Sequence, residues 1–264
     1  MKRPVRLGAV SYLNARPLTW ALDRAPERWE IRYDVPSVCA QLLHAGDVDL
    51  GLVPSIDYLQ SPDYRLVPGV GIGSLGPVAS VALFTRVPVQ DITRIALDTS
   101  SHTSVALIKV LCRHRFHIEP AFVPHDPDLA AMMRVCDAGL LIGDPALDAD
   151  PVALGLQKID LGEEWTAMTG LPFVYAAWTG RPGAATDEDI RALQDAQQEG
   201  STVRDAIAAE YGRGNALATA RATAYLRDNV KYGLGSAEAQ GLKTFLDFAA
   251  DLGAAPRKRA LAFF

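Results

Sequence analysis

Two short stretches of this chain collect side chains able to hold a small polar ligand. Residues 11–14 read Ser11-Tyr12-Leu13-Asn14, and residues 98–104 read Asp98-Thr99-Ser100-Ser101-His102-Thr103-Ser104. Each lies where an apolar run gives way to the start of a helix. Hydroxyls both donate and accept, and an amide does so from separate atoms. The first N–H groups of a helix have no acceptor within it and sit at the positive end of its dipole, so the second stretch suits a carboxylate or phosphate. Ser, Thr and Asn are equally at home as ordinary N-caps, and spacing alone leaves both readings open.

Two further positions belong with these. Ser80 is a single hydroxyl inside the apolar run Val78–Phe84, where it either bonds to backbone or faces a cleft. Asp144 follows the run Ala138–Ile142 and precedes Pro145, a place that fits a ligand-orienting carboxylate at a strand end and fits a helix cap equally well.

The elements that must position these groups follow an α/β rhythm. Leu7–Val10 predicts a strand and Arg16-Pro17 a helix start, with Pro17 in the first turn and Asn14 or Ala15 at the cap. Trp29–Val35 predicts a second strand, Val38–Ala45 a helix stopped by Gly46, and Asp47–Val53 a third strand followed by a helix from Pro54. The Gly- and Pro-rich residues 66–77 lead into the strand 78–84. A second block repeats the pattern, with strands at Arg94–Leu97, Glu119–Val123 and Asp137–Ile142 and helices at Val105–Cys112 and Asp128–Cys136. Such alternation implies parallel sheets with crossover helices. After the strand Phe173–Trp178, residues 187–250 are helical in character, rich in Ala and charge. The expected organisation is a discontinuous first lobe, residues 1–86 and 180–264, and a second lobe, residues 87–179, joined by two crossings that make a hinge. Ligands of open α/β sheets lie at the carboxyl ends of the strands, which is where both polar stretches fall.

Composition narrows the partners. With 264 residues and 49% hydrophobic content, there is ample core for two lobes. A formal net charge of −5 offers no basic field for nucleic acid or an anionic membrane. Cys39, Cys112 and Cys136 are far apart, with no CxxC and no histidine at ligand spacing, so buried reduced thiols are expected and no metal site. The opening MKRPVRLGAV lacks the apolar core of a secretory signal, and no stretch is long enough to span a bilayer, so a cytoplasmic location is expected.

Several segments taken together, LGAVSYLNARPL, LVPSIDYL, GIGSLGPVASVALFT, LDTSSHTSVAL, LLIGDPAL and DLGEEWTAMTGLPFVYAAW, resemble the MqnA-type menaquinone-biosynthesis family, the chorismate dehydratases of the futalosine pathway. The resemblance covers about residues 5 to 180. It implies a two-lobe type II periplasmic-binding-protein fold with a helical tail. It also implies a carbon–oxygen lyase that converts chorismate, bound between the lobes, to 3-[(1-carboxyvinyl)oxy]benzoate by loss of water, with no metal or organic cofactor. Carried over by motif, Asn14 and Ser80 fall at the reacting ring as the catalytic pair. Ser11, Ser55, Thr103 and Ser104 are substrate-binding, the last two at a substrate carboxylate, and Asp144 joins that set from its position. His102 departs from the arginine that the resemblance implies there, and the orientation of Arg16 and Arg86 is left open. No histidine is placed as a base: His44, His114, His117 and His125 read as surface or structural groups, which fits a reaction in which the substrate's own carboxylate takes the proton. Two alternatives share the fold: a solute-binding protein for a small carboxylate, and the sister enzyme forming 1,4-dihydroxy-6-naphthoate, which is expected to use a histidine base.

Overall fold

Strand β1 (Val5–Val10) is buried along almost its whole length, as a strand covered on both faces should be. It leads through a single 3-10 turn (Leu13–Ala15) into the short helix α1 (Arg16–Thr19), with Pro17 in its first turn. The computed structural model describes residues 3–256 and 258–264. Next come β2 (Trp29–Asp34), α2 (Pro36–Ala45) and β3 (Leu50–Pro54); Gly46 ends α2 at φ 80° as expected. The helix expected from Pro54 is a 3-10 segment over Ser55–Gln60.

Residues 65–74 form an element that composition does not mark. The Gly- and Pro-rich stretch is a ten-residue strand, β4 (Arg65–Ser74). Its glycines answer to packing: a Cβ on Gly73 would lie 2.6 Å from the Phe173 carbonyl oxygen of the neighbouring strand. The chain then passes through residues 75–80 to β5 (Val81–Thr85), β6 (Arg94–Asp98), α3 (His102–Leu111), β7 (Ala121–His125), α4 (Leu129–Val135), β8 (Ala138–Ile142) and α5 (Gly143–Asp148). A short strand, β9 (Gln157–Asp160), and helix α6 (Leu161–Thr169) precede the long strand β10 (Phe173–Gly180). The tail holds α7 (Asp187–Thr202), α8 (Arg204–Gly212), α9 (Ala216–Ala224), which runs on as a π-turn over Tyr225–Asn229, and α10 (Ser236–Asp251). Among the described residues no helix is long and apolar enough to cross a membrane.

Two five-stranded sheets result, ordered β2-β1-β3-β10-β4 and β7-β6-β8-β5-β9. In each, parallel strands of one chain block receive an antiparallel strand that arrives at or after a crossing: β10 lies between β3 and β4, and β5 between β8 and β9. The expected boundaries at 86/87 and 179/180 put β5 with the first lobe and β10 with the second. Pairing puts each in the other sheet, because a central strand can satisfy its ladder on both sides there.

The crossings are held by aromatic packing. Trp165 of α6 meets Phe173 of β10 edge-on at 5.2 Å between centroids, and Phe245 of α10 lies 4.8 Å from Phe173 and 6.1 Å from Trp165. All three rings are fully buried, so second-lobe helix, first-lobe strand and tail share one core. The chain end covers the edge of β4: Leu66 N–H donates to the Ala262 carbonyl at 2.9 Å and Phe264 N–H to that of Leu66 at 3.1 Å. Phe245→Ala is expected to cost about 3–5 kcal/mol, read as a fall in the midpoint of denaturant unfolding; a loss below about 1 kcal/mol would mean that the three rings do not share a core.

Candidate functional site

A void of about 40 Å³ lies between the two lobes at the carboxyl ends of their parallel strands. Tyr12, Asn14 and Tyr175 line it from the first lobe, and Ser80, Ser101 and Ser104 from the second. Among the described residues, no Lys or Arg lines it.

Asn14 lies in the 3-10 turn after β1. The expected cap does not form, since no side chain caps that turn or α1. The Asn14 amide is therefore not spent on capping, and its Oδ1 is buried with no hydrogen-bond partner. A buried acceptor left unpaired costs about 1–3 kcal/mol unless something fills it.

Ser80 stands just before β5, not within it. Its hydroxyl is 2.7 Å from that of Tyr225 in the tail, and its carbonyl accepts Gly143 N–H at 2.8 Å. The residue before it, Ala79, has φ 66°, a left-handed conformation rare for a residue with a Cβ. Two charged side chains hold it there: Asp160 accepts Ala79 N–H at 2.6 Å, and the Lys158 ammonium donates to the Ala79 carbonyl at 2.7 Å. Burial lowers the Lys158 pKa against the opposing pull of Asp160.

Helix α3 opens on the void. Ser101 is its N-cap, accepting Ser104 N–H at 3.4 Å, and the two hydroxyls are 3.2 Å apart. Beneath it the Asp98 carboxylate, fully buried at the end of β6, accepts Ser100 N–H at 2.9 Å and Ile142 N–H at 3.2 Å. Burial nonetheless raises its pKa. Opposite, the Tyr12 ring rests on Gly143, where an added Cβ would come within 2.6 Å of it and φ is 64°. A side chain there would collide and strain at once.

Of the residues expected at the site, Asn14, Ser80 and Ser104 meet at the void. Ser55 and Thr103 do not reach it with their side chains. The Ser55 hydroxyl donates to the Val174 carbonyl at 2.7 Å, and Thr103 Oγ1 accepts Ile56 N–H at 3.1 Å. With 3.4 Å between the two hydroxyls, they form a buried lock between the lobes. Ser11 and Asp144 line a neighbouring open depression of about 530 Å³ together with Arg16, Asp148, Tyr211 and Arg221. Asp144 Oδ1 accepts Leu13 N–H across the lobes at 3.0 Å.

His102, the departure from the family pattern, points elsewhere. Its Nδ1 is 2.9 Å from the Asp57 carboxylate in a separate groove, and that hydrogen bond raises its pKa. Arg86 lines a third depression beside Met133. No histidine lines the void: His44 bonds the Tyr64 hydroxyl, His114 stacks on Phe248, and His125 Nδ1 meets the Asp126 carbonyl. The three cysteines are buried and free, and among the described residues no three His, Cys, Asp or Glu side chains are arranged to hold a metal. Sequence reasoning missed Tyr175, whose hydroxyl is 3.0 Å from that of Ser74, and Tyr225. The motif FVYAAW carries Tyr175, but nothing local to Tyr225 marks it.

Comparison with known proteins accords with this geometry. The family model described as menaquinone biosynthesis matches residues 5–251. A curated relative, chorismate dehydratase of Thermus thermophilus, is 32% identical over 262 residues, covering 93% of this chain and 95% of the relative. Among solved structures, protein AF1704 of Archaeoglobus fulgidus superposes with a TM-score of 0.73 at 18% identity, covering 96% and 98% of the two chains. The aliphatic sulphonate-binding protein SsuA of Escherichia coli gives 0.67 at 19%, covering 98% and 90%. The Candida albicans CA3427 product, described as having the generic periplasmic-binding-protein fold, gives 0.66 at 10%, covering 99% and 98%. The architecture is that two-lobe fold.

Burial raises the Asp144 pKa from 3.8 to about 6, against the Leu13 N–H that favours its charged form and with the Asp148 charge adding to the rise. Folding therefore favours the protonated acid. The associated stability is present below about pH 4 and is lost as the pH rises through 6. Asp144→Asn keeps an acceptor for Leu13 and cannot ionise. It should match the wild type below pH 4 and exceed its stability at pH 8 by on the order of 2 kcal/mol; equal unfolding midpoints at pH 8 would show that the carboxylate is not burdened by burial.

Proposed function

Because this chain belongs to the menaquinone-biosynthesis family, we propose that it is a chorismate dehydratase, forming 3-[(1-carboxyvinyl)oxy]benzoate and water from chorismate held between the lobes. The observation that carries this reading is the void itself. Uncharged donors and acceptors converge on it from both lobes, and one of them, Asn14 Oδ1, is buried and unpaired. A substrate hydroxyl is the group that such an acceptor needs.

The chemistry asks for orientation more than for a strong catalyst. Loss of a ring proton and a hydroxyl makes the ring aromatic, so holding the reacting conformer removes much of the barrier. In this reading the start of α3, with the Ser101 and Ser104 hydroxyls and the first N–H groups of the helix, holds a substrate carboxylate in place of an arginine. Ser80 and Asn14 bond the departing hydroxyl from opposite lobes. Among the described residues, the ionisable groups lining the void are Tyr12 and Tyr175, and burial raises both above the ordinary tyrosine value. Both are neutral at pH 7. A carboxylate of the substrate is then the base at hand for the ring proton. The same absence of a lining histidine counts against the naphthoate-forming sister reaction.

Asn14→Ala and Ser80→Ala should each lower kcat by about 10²-fold or more while moving Tm by only a few degrees. The assay is appearance of the aromatic product from chorismate. Chorismate bound but returned unchanged would mark a solute-binding protein, and full activity in both variants would place the site elsewhere.

A further inference from the structure

We propose that Tyr225, supplied by the C-terminal tail, is a positioning residue that fixes the Ser80 hydroxyl as a donor toward the void. This role rests on the dehydratase reading of the site. Tyr225 does not line the void. It stands behind Ser80, almost wholly buried, with its hydroxyl 2.7 Å from Ser80 Oγ.

The assignment follows from counting protons. A serine hydroxyl carries one hydrogen and can accept others, and so does a tyrosine hydroxyl. Of the two possible directions, one has Ser80 donate to Tyr225, which leaves Ser80 with lone pairs alone to offer the substrate. The other has Tyr225 donate to Ser80, which turns the Ser80 hydrogen toward the void. The phenol decides between them: with an ordinary pKa of about 10 it is far more acidic than a serine hydroxyl, and so is the better donor and the poorer acceptor. Donation therefore runs from Tyr225 to Ser80 to the ligand, and each bond polarises the next. Burial keeps the phenol protonated, as donation requires.

The arrangement presents a donor from Ser80 and an acceptor from Asn14 to one substrate hydroxyl, which has one hydrogen to give and lone pairs to receive. A leaving hydroxyl gathers negative charge as its bond to carbon lengthens, so a fixed donor there gains strength in the transition state. No proton needs to leave Ser80 or Tyr225 for this effect.

The test is a double-mutant cycle on chorismate turnover with the full chain. Tyr225→Phe removes one oxygen and keeps the ring. It should lower kcat about tenfold or more, leave KM within about threefold and leave Tm within a few degrees. In a Ser80→Ala background it should lower kcat by no more than twofold, because its effect passes through Ser80. A residue that merely packs would either leave kcat unchanged or lower it by the same factor in both backgrounds, and either result overturns the role. A difluorotyrosine at 225 retains the hydroxyl and makes it a stronger donor; kcat should rise measurably, and an unchanged value overturns the role even if the phenylalanine variant does not fold. Wild-type protein that leaves chorismate unchanged sinks the dehydratase reading and this role together, whereas wild-type turnover with a normal Tyr225→Phe variant sinks the role alone.

Discussion

One carboxylate, that of Asp160, holds the parts of this molecule in relation. It accepts N–H groups from Val78 and Ala79 on the first crossing and from Gly162 and Glu163 at the start of α6, just ahead of the second. Two segments that the sequence separates by some eighty residues are thereby fixed to one point. The left-handed turn at Ala79 costs on the order of 1 kcal/mol, and charge-assisted bonds to its N–H and carbonyl more than offset it. Ser80 inherits its direction from that turn. The catalytic hydroxyl proposed here is thus aimed by backbone geometry, and the geometry is set by β9.

The hydroxyls of this chain do two kinds of work that composition cannot separate. Ser80, Ser101 and Ser104 face the void, while Ser55 and Thr103 spend themselves on Val174 and Ile56 as a lock between the lobes. Polarity without charge has a benefit in both places. A neutral hydroxyl can be buried at modest cost when it finds one partner, so the lobes can close without stranding an ion. The cations near the site lie outside the void, where Arg221 pairs with Asp148 at 2.6 Å.

Much of this was legible in the sequence. The strand–turn–helix at SYLN, the hydroxyl-rich start of α3 and the α/β alternation are local signals, and the structure contains all three. What was hidden is tertiary. Residues 65–74 carry three glycines and a proline and so show no strand pattern, but Gly73 is small because β10 passes 2.6 Å from where its Cβ would be. Strand β5 and strand β10 change sheets for reasons of pairing that no single segment expresses. Asn14 reads as a cap because asparagine usually is one; here the turn caps without it. Tyr225 sits in an alanine-rich helical tail, 145 residues from the serine it touches, and its neighbours in sequence carry no motif.

The tail also bears on how far the lobes can part. In a receptor joined by two strands, rotation about the hinge is opposed by little else. In this protein α7 packs on α1 and β4, α10 packs on both β10 and α3, and Tyr225 reaches Ser80. The tail is a third strap, anchored on both sides of the rotation. Opening must therefore slide helices past one another as well as bend two crossings, which favours a narrow gape over a wide swing.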